Sequence, residues 1–209
     1  MVQIKVCGIT NMEDALVAVG AGADALGFNF YEGSPRFIAP EAARAIIEQL
    51  PPGVLTVGVF VNERQATVAE MADLAGVGAL QFHGDETPQY CRAFAGRFLI
   101  KALRVVEEFR PESAAAYPVD AILLDAFDRR ARGGTGRVFD WRLAQRTRAT
   151  VPRLFLAGGL SPENIAEAIT AVEPYGVDAC SGLECSPGRK DSARVRDFIA
   201  RARGAHVKP

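Results

Sequence analysis

The chain of 209 residues carries 24 basic and 25 acidic side chains, for a net charge of −1, and 49% of its residues are hydrophobic. These values are those of an ordinary globular protein, and the length fits one domain with a full-sized core better than two. The lack of a basic stripe and of a long apolar run argues against nucleic-acid and membrane partners. We therefore expect one globular domain over residues 1–209.

The amino-terminal segment MVQIKVCGIT enters a strand pattern directly, without the basic and apolar regions of a secretory signal, so we expect a cytoplasmic protein. Cysteine and histidine are scarce and form no CxxC pair, so a zinc site is poorly supported and we expect no metal. A reducing compartment also disfavours disulfides. Three of the four cysteines are expected to be core or loop thiols, namely Cys91, Cys180 and Cys185.

Short apolar runs alternate with helical patterns along the whole chain. Eight runs predict β-strands, near residues 2–7, 23–30, 54–61, 78–83, 97–103, 119–125, 153–158 and 177–181. The intervening helical patterns are MEDALVAVGAG, PEAARAIIEQL, QATVAEMADLAG, PQYCRAFAG and SPENIAEAITAV, the last with Ser161 as its predicted N-cap. Such alternation predicts parallel strands with helical crossovers. Eight units favour an α/β fold of the closed (βα)8 TIM-barrel type over an open doubly wound sheet, which usually has fewer strands.

The active site of a βα barrel lies at the carboxyl ends of its strands. Most of the predicted ends carry polar or ionisable side chains, and the others are glycine-containing pairs: Cys7, Asn29, Asn62, His83, Arg104, Asp125, Gly158–Gly159 and Ser181–Gly182. Side chains alternate between the two faces of a strand, so Cys7 shares a face with Lys5. Since the apolar faces should meet the helices, Cys7 and Asp125 are predicted to point into the barrel mouth.

The glycine-containing pairs at the last two strand ends predict a phosphate site. In this fold the loops after strands seven and eight frequently bind phosphate. Glycine lets backbone N–H groups approach an anion closely, and a helix N-terminus adds unpaired donors. We therefore expect Gly158, Gly159, Ser181 and Gly182 to hold a phosphorylated small molecule, although tight turns at strand ends also favour glycine.

Cys7 and Asp125 are the candidate proton-transfer groups. An unperturbed thiol, with a pKa of about 8.5, is only slightly ionised at neutral pH. A cation at Lys5 would raise the thiolate fraction of Cys7, whereas the alternative is an inert buried thiol. Asp125 ends an apolar run, where partial burial would favour the protonated acid. Its alternative role is an ion pair with Lys5 or Lys101.

Other polar residues are assigned less specific roles. Arg36 follows strand two, and its planar guanidinium suits a substrate carboxylate, with surface solvation as the alternative. His83 either contacts substrate or holds the strand-four loop through a backbone hydrogen bond, and the second role is favoured. The glycine-rich segment at 133–136 predicts a loop that closes over ligand, or an ordinary connection. Arg189 and Lys190 are interpreted as solvated residues that start the last helix.

Seven segments, distributed over nearly the entire chain, match one family in order and spacing. They are KVCGIT at 5–10, GFNFYEGSPRFIAP at 27–40, VGVFVN at 57–62, QFHGDE at 81–86, LLDAFDRRARGGTGRVFDW at 123–141, LAGGLSPENI at 156–165 and GVDACSGLECSPGRKD at 176–191. The chain thereby resembles the phosphoribosylanthranilate isomerases of tryptophan biosynthesis. Small departures at Phe82 and Ala126 touch none of the proposed acid, base or phosphate residues.

The resemblance implies an Amadori rearrangement of N-(5-phosphoribosyl)anthranilate, an aminoaldose, to an aminoketose. It implies that Asp125 protonates the ring oxygen, that Cys7 removes the proton from sugar C2, and that Arg36 orients the anthranilate carboxylate. It further implies a substrate contact by Asp178, no cofactor, and a monomer or homodimer.

Other phosphate-binding barrels remain as alternatives. An indoleglycerol phosphate synthase would need a catalytic Lys and Glu set and an amino-terminal extension. A histidine-pathway isomerase would have an Asp at the end of strand one, where this chain has Cys7. A non-catalytic binding barrel could keep the glycines but would not need Cys7 and Asp125.

Overall fold

The computed structural model of the protein describes residues 1–105, 109–125 and 141–205. Eight parallel strands close into a barrel in sequence order, which confirms the predicted fold class. These strands are β1 (Gln3–Cys7), β2 (Ala25–Asn29), β3 (Leu55–Phe60), β4 (Ala79–Phe82), β5 (Phe98–Arg104), β6 (Ala121–Asp125), β7 (Leu154–Ala157) and β8 (Gly176–Ala179). The glycine-rich segment at 133–136 lies outside the described residues.

Helices follow most of the strands and cover the outside of the barrel. They are α1 (Met12–Ala21), α2 (Pro40–Ile47), α3 (Gln65–Ala75), α4 (Pro88–Arg92), α5 (Trp141–Arg148), α6 (Ile165–Val172) and α7 (Ser192–Gly204). Short 3-10 helices follow β5 at Pro111–Ala116 and β8 at Ser181–Leu183. In the described ranges, no helix combines the length and the apolar character needed to cross a membrane.

Strand alternation divides the apolar residues between two cores, as the sequence pattern predicts. The outer faces, such as Ile4 and Val6 of β1, pack in the large cluster against the helices. The barrel interior is filled by a second, smaller cluster of mostly small and branched residues: Ala25, Val57, Ala79, Ile100, Ala102, Ala121, Leu123, Phe155 and Ala157. Burial of both faces explains why the strands are nearly continuous hydrophobic runs.

The start of α6 differs from the sequence prediction. The helix begins at Ile165 and has Asn164 as its N-cap, whereas Ser161 was expected to cap it. The reason is a preceding turn, in which the Asn164 side chain accepts from the Ser161 N–H at 2.9 Å and donates to the Gly159 carbonyl at 3.0 Å. The Asn164 amide thus ties the helix start to the loop after β7.

A small antiparallel hairpin, absent from the sequence prediction, lies between β8 and α7. It consists of β9 (Glu184–Ser186) and β10 (Arg189–Lys190). The hairpin is anchored to the body of the barrel, because the Lys190 N–H donates to Asp14 Oδ2 at 2.9 Å and the Thr10 hydroxyl donates to the Gly188 carbonyl at 2.5 Å. Its residues therefore lie beside the carboxyl ends of β1 and β8.

Candidate active site

Cys7 is the last residue of β1 and is buried at the carboxyl end of the barrel. Its neighbour in register on β2 is Gly27. A Cβ on residue 27 would stand 2.7 Å from the Cys7 Sγ and 3.1 Å from the Lys5 Nζ, so glycine leaves the space that these two groups occupy. Strand alternation thus places the thiol and the ammonium group on the interior face, as predicted.

A buried ion pair joins β1 to β8 beneath Cys7. The Lys5 Nζ donates to Asp178 Oδ1 at 2.9 Å, and the two side chains are 0% and 7% exposed. Burial raises the pKa of Asp178 to about 6 despite the attraction of Lys5. Burial alone would lower the pKa of Lys5, but the negative charges of Asp178 and Cys7 outweigh it and raise that pKa. Asp178 is therefore paired inside the protein, and its contact with substrate stays a prediction.

The surroundings of Cys7 favour its thiolate. A hydrogen bond with the Cys180 thiol is the largest influence that lowers the pKa of Cys7 well below its ordinary value, and the charges of Lys5 and Lys190 act in the same direction against burial. The same hydrogen bond, together with burial and the nearby charge of Cys7, raises the pKa of Cys180 well above its ordinary value. The pKa values of the two thiols thus move in opposite directions, and of the two sulfurs Cys7 is the one whose surroundings favour the anion.

Arg36, in the segment after β2, forms a bidentate ion pair with Glu184. Its Nε donates to Oε1 at 2.8 Å and its Nη2 donates to Oε2 at 2.6 Å. Burial would raise the pKa of Glu184, but hydrogen bonds and charges from Arg36 and Lys190 lower it overall. The hydrogen bond to Glu184 also raises the pKa of Arg36. The guanidinium plane is consequently fixed beside the thiol pair. Arg36 is therefore not the solvated surface residue that was its alternative interpretation.

Lys190 corrects a second sequence interpretation, because it is not a solvated residue at the start of the last helix. It lies on β10 with its side chain fully buried, and its Nζ donates to Glu184 Oε1 at 3.0 Å and to the Cys180 carbonyl at 3.3 Å. The hairpin folds it back toward the barrel end, which sequence spacing alone does not reveal. Arg189 is exposed, as expected.

Asp125 ends β6, and its neighbour across the barrel end is His83, which follows β4. The His83 Nε2 lies 3.2 Å from Asp125 Oδ2, and the His83 Nδ1 lies 3.0 Å from the Gln81 Nε2. With the Gln81 amide nitrogen as the donor to Nδ1, the matching tautomer of His83 carries its proton on Nε2 and donates it to Asp125. The His83 side chain thus orients a carboxyl group, instead of holding the loop through a backbone bond.

Both inner lysines are engaged away from Asp125. Lys5 pairs with Asp178, and Lys101 pairs with the buried Glu86 at 2.8 Å. The Lys101 Nζ also donates to the Gly84 carbonyl at 2.7 Å, and Glu86 accepts from the Asn62 N–H at 2.8 Å. This second buried pair holds the loops after β3 and β4 in place. Asp125 was alternatively expected to pair with one of these lysines, but their ion-pair partners are Asp178 and Glu86.

The glycine-containing loops after β7 and β8 lie against each other. Gly158 and Gly159 have φ values of 90° and 69°, which favour glycine, and a Cβ on Gly159 would meet no described atom within 4 Å. A Cβ on Gly182 would stand only 2.1 Å from the carbonyl oxygen of Leu160. The structure therefore brings together the four residues predicted to bind phosphate, beside the 3-10 helix that begins at Ser181.

Ionisable groups collected at the carboxyl end of a closed βα barrel define the class of barrel enzymes, in which the strands supply the scaffold and the loops supply the chemistry. By its fold and by the position of its thiolate and carboxyl group, the chain is a member of this class. No cluster of three or more residues suited to a metal ion occurs in the described part of the chain.

Comparison with known proteins identifies the family. Residues 4–201 match the family described as N-(5'-phosphoribosyl)anthranilate (PRA) isomerase. The N-(5'-phosphoribosyl)anthranilate isomerase of Pelobacter propionicus is 53% identical over 199 residues, which are 95% of this chain and 94% of the relative. The chain therefore belongs to the N-(5'-phosphoribosyl)anthranilate isomerase family, as the sequence motifs indicated.

Two solved structures support the same assignment. A phosphoribosyl anthranilate isomerase in complex with reduced 1-(o-carboxyphenylamino)-1-deoxyribulose 5-phosphate superposes with a TM-score of 0.88 at 44% identity, covering 98% of this chain and 100% of that one. The second structure shows monomers generated from the dimeric phosphoribosylanthranilate isomerase of Thermotoga maritima. It gives a TM-score of 0.87 at 43% identity and covers 98% of this chain and 100% of that one.

Sequence reasoning missed three residues of this site: Cys180, Glu184 and Lys190. Alternation could have revealed Cys180, because it lies two residues after Asp178 just as Cys7 lies two residues after Lys5. Glu184 and Lys190 lie in a hairpin whose path over the barrel end follows from tertiary packing, and no sequence signal pointed to them.

Proposed function

We propose that this chain catalyses the Amadori rearrangement of N-(5'-phosphoribosyl)anthranilate to 1-(2-carboxyphenylamino)-1-deoxyribulose 5-phosphate, with Cys7 as the base and Asp125 as the acid. The observation that carries these roles is the placement of a stabilised thiolate and a histidine-oriented carboxyl group at the same barrel end. β7 and β8 separate their two strands in the ring, so a sugar in the mouth can meet both groups.

The reaction begins with ring opening. Protonated Asp125 gives its proton to the furanose ring oxygen while the C1–O bond breaks, and the nitrogen lone pair forms a Schiff base at C1. The Cys7 thiolate then takes the proton from C2, and the released electron pair forms the C1–C2 double bond of an enolamine. The Asp125 carboxylate then takes the enol O–H proton and the Cys7 thiol gives its proton to C1, which yields the ketone and restores both groups. The net reaction consumes no proton.

The remaining predicted residues supply binding. Arg36 retains N–H donors besides the two held by Glu184, and we propose that these orient the anthranilate carboxylate. We propose that backbone N–H groups of Gly158, Gly159, Ser181 and Gly182 bind the phosphate, in keeping with the adjacency of their loops. We propose that His83 meets the substrate beside Asp125, which it contacts at 3.2 Å, and that Asp178 supports the site through its ion pair with Lys5.

The acid and base roles are tested by turnover of C7S and D125N variants. The labile substrate is made in situ, and the loss of anthranilate-type fluorescence reports its conversion. We expect each change to lower kcat at least about a hundredfold with a modest change in KM, the scale of a lost proton-transfer group. Cys185→Ser is the matched control, because Cys185 is an exposed thiol that bonds only backbone carbonyls among its described contacts. Normal kcat in C7S or in D125N would remove that residue from its role.

The oligomeric state and the cellular location of the chain are further proposals. We propose a homodimer or a monomer, with the dimeric Thermotoga maritima relative favouring the homodimer. Sedimentation of the purified chain over a range of concentrations distinguishes the two states. We also propose a cytoplasmic location for this biosynthetic enzyme, which cell fractionation tests.

A further inference from the structure

Cys180 has no part in the acid–base steps, yet the fold places it next to the proposed base. β1 and β8 are parallel neighbours in which Lys5 faces Asp178 and Val6 faces Ala179. The next residues in that order are Cys7 and Cys180. Because side chains alternate along strands, the two thiols continue the interior face that holds the Lys5–Asp178 ion pair.

The contacts of Cys180 confirm this adjacency. A side-chain hydrogen bond between the two thiols shifts their pKa values in opposite directions. The Cys180 Sγ also lies only 2.8 Å from the point where a Cβ on Gly8 would stand, directly beside the residue that follows Cys7. Lys190 approaches from β10, with its Nζ 3.7 Å from the Cys180 Sγ.

The hydrogen bond between the thiols, burial and the surrounding charges together favour the proton on Cys180 and the anion on Cys7. Cys7 is beside the Lys5 ammonium group, which favours a thiolate there. The charges of Lys190 and Arg36 favour an anion at Cys180, but the hydrogen bond to Cys7, burial and the charge of Cys7 outweigh them. The Cys180 thiol also contacts Glu184 Oε1, to which it can donate at 3.8 Å. That oxygen already accepts shorter hydrogen bonds from Arg36 at 2.8 Å and Lys190 at 3.0 Å. The thiol proton of Cys180 is therefore available to Cys7.

We propose that Cys180 is a positioning residue whose S–H donates a hydrogen bond to the Cys7 thiolate, keeping that sulfur ionised and directed at the substrate. This inference rests on the proposed role of Cys7 as the base. The charged and titratable groups around the thiol pair are Lys5 of β1, Asp178 of β8, Arg36 after β2, Glu184 of β9, Lys190 of β10 and, beyond Asp178, His83 after β4. Of the described groups in this set, only Cys180 offers Cys7 an uncharged donor.

Alkylation of Cys7 measures its thiolate directly, without requiring turnover. Iodoacetamide forms a sulfur–carbon bond with the thiolate and releases iodide, and peptide mass spectrometry separates Cys7 from the other cysteines. In the full chain, we expect Cys180→Ala to slow alkylation of Cys7 about tenfold at neutral pH, the scale of one lost hydrogen bond to a charged group. Cys180→Ser keeps a donor and should retain a rate near that of the unaltered chain. The acid limb of kcat/KM should move to higher pH in C180A and not in C180S.

Control variants separate this role from packing and from the proposed function. Cys180→Val matches the thiol in size but lacks a donor, so it replaces C180A if the alanine variant does not fold, and it should slow alkylation equally. Cys185→Ala changes an exposed thiol outside the site and should leave Cys7 unaffected. Unchanged alkylation in C180A and C180V, or equal slowing in C180S, would overturn the inference. Normal turnover of C7S would instead overturn the base assignment, while the alkylation rates still report on Cys180.

Discussion

The ammonium group of Lys5 and the carboxylate of Asp178 lie 2.9 Å apart inside the barrel, beneath the thiol of Cys7. Both groups are almost completely shielded from water, so neither is adequately solvated without the other. Removing either partner should therefore lower the free energy of unfolding, because the other would remain as a buried, unpaired charge beneath the proposed active site.

Lys5→Met should destabilise the protein by about 3–5 kcal/mol near neutral pH, because Asp178 is left as an uncompensated buried charge. The folded-state pKa of Asp178, about 6, already exceeds its ordinary value of 3.8, and loss of Lys5 raises it further. A raised carboxyl pKa means that the folded state binds the proton more tightly, so stability relative to the unaltered chain falls as pH rises. Urea unfolding at about pH 5 and about pH 8 should show the smaller deficit at the lower pH.

The double variant Lys5→Met/Asp178→Asn is the control for this pH effect. With no titrating carboxyl group, its deficit should be nearly independent of pH over the same interval. An equal deficit at both pH values in the single variant would contradict the account of Asp178.

The pH dependence of kcat/KM should reflect the lowered pKa of Cys7. Because Cys180, Lys5 and Lys190 favour the thiolate, we expect the base to be ionised already at neutral pH. We expect no further rise in kcat/KM between neutral pH and about pH 9, where an unperturbed thiol would still be gaining thiolate. Steady-state assays across that interval provide the measurement. A tenfold rise toward alkaline pH would show an ordinary thiol.

Arg36→Lys should weaken substrate binding more than it affects chemistry. Lysine keeps the positive charge but loses the planar set of donors that can bind Glu184 and a second carboxylate together. We expect KM to rise about tenfold or more while kcat changes little. Arg44→Lys is a matched control, since Arg44 pairs with Glu48 on the exposed face of α2. A fall in kcat at unchanged KM in R36K would contradict the binding role.

Gly182→Ala tests the contact between the two proposed phosphate loops. The added Cβ would stand 2.1 Å from the Leu160 carbonyl oxygen, so one loop must move. We expect a loss of stability of about 1–3 kcal/mol, as for other overpacking changes, together with a higher KM. Thermal unfolding and steady-state kinetics measure the two effects. Gly204→Ala, at the end of α7 with no atom within 4 Å of the new Cβ, should leave both near the values of the unaltered chain.

Much of the fold is encoded locally and could be predicted from the sequence. The eight apolar runs and the intervening helical patterns specify β1 to β8 because each segment must bury its own hydrophobic face. Alternation within β1 and β6 is equally local. Because every second side chain of a strand points to the same face, the inward direction of Cys7 and Asp125 could be predicted from their positions in the strands. The start of α6 did not follow, because Asn164 satisfies the backbone of the preceding turn and takes over the cap from Ser161.

The sequence by itself determined the closed barrel, the family and the residues at the strand ends, since these depend on periodicity and on contiguous motifs. Only the tertiary structure decided the partners of those residues: Cys180 for Cys7, Glu184 for Arg36, His83 for Asp125 and Asp178 for Lys5. These partners are distant along the chain, and hydrogen bonds and charges act through space over a few ångströms. Strand register and the fold of the β9–β10 hairpin therefore had to be known before the state of each group could be derived.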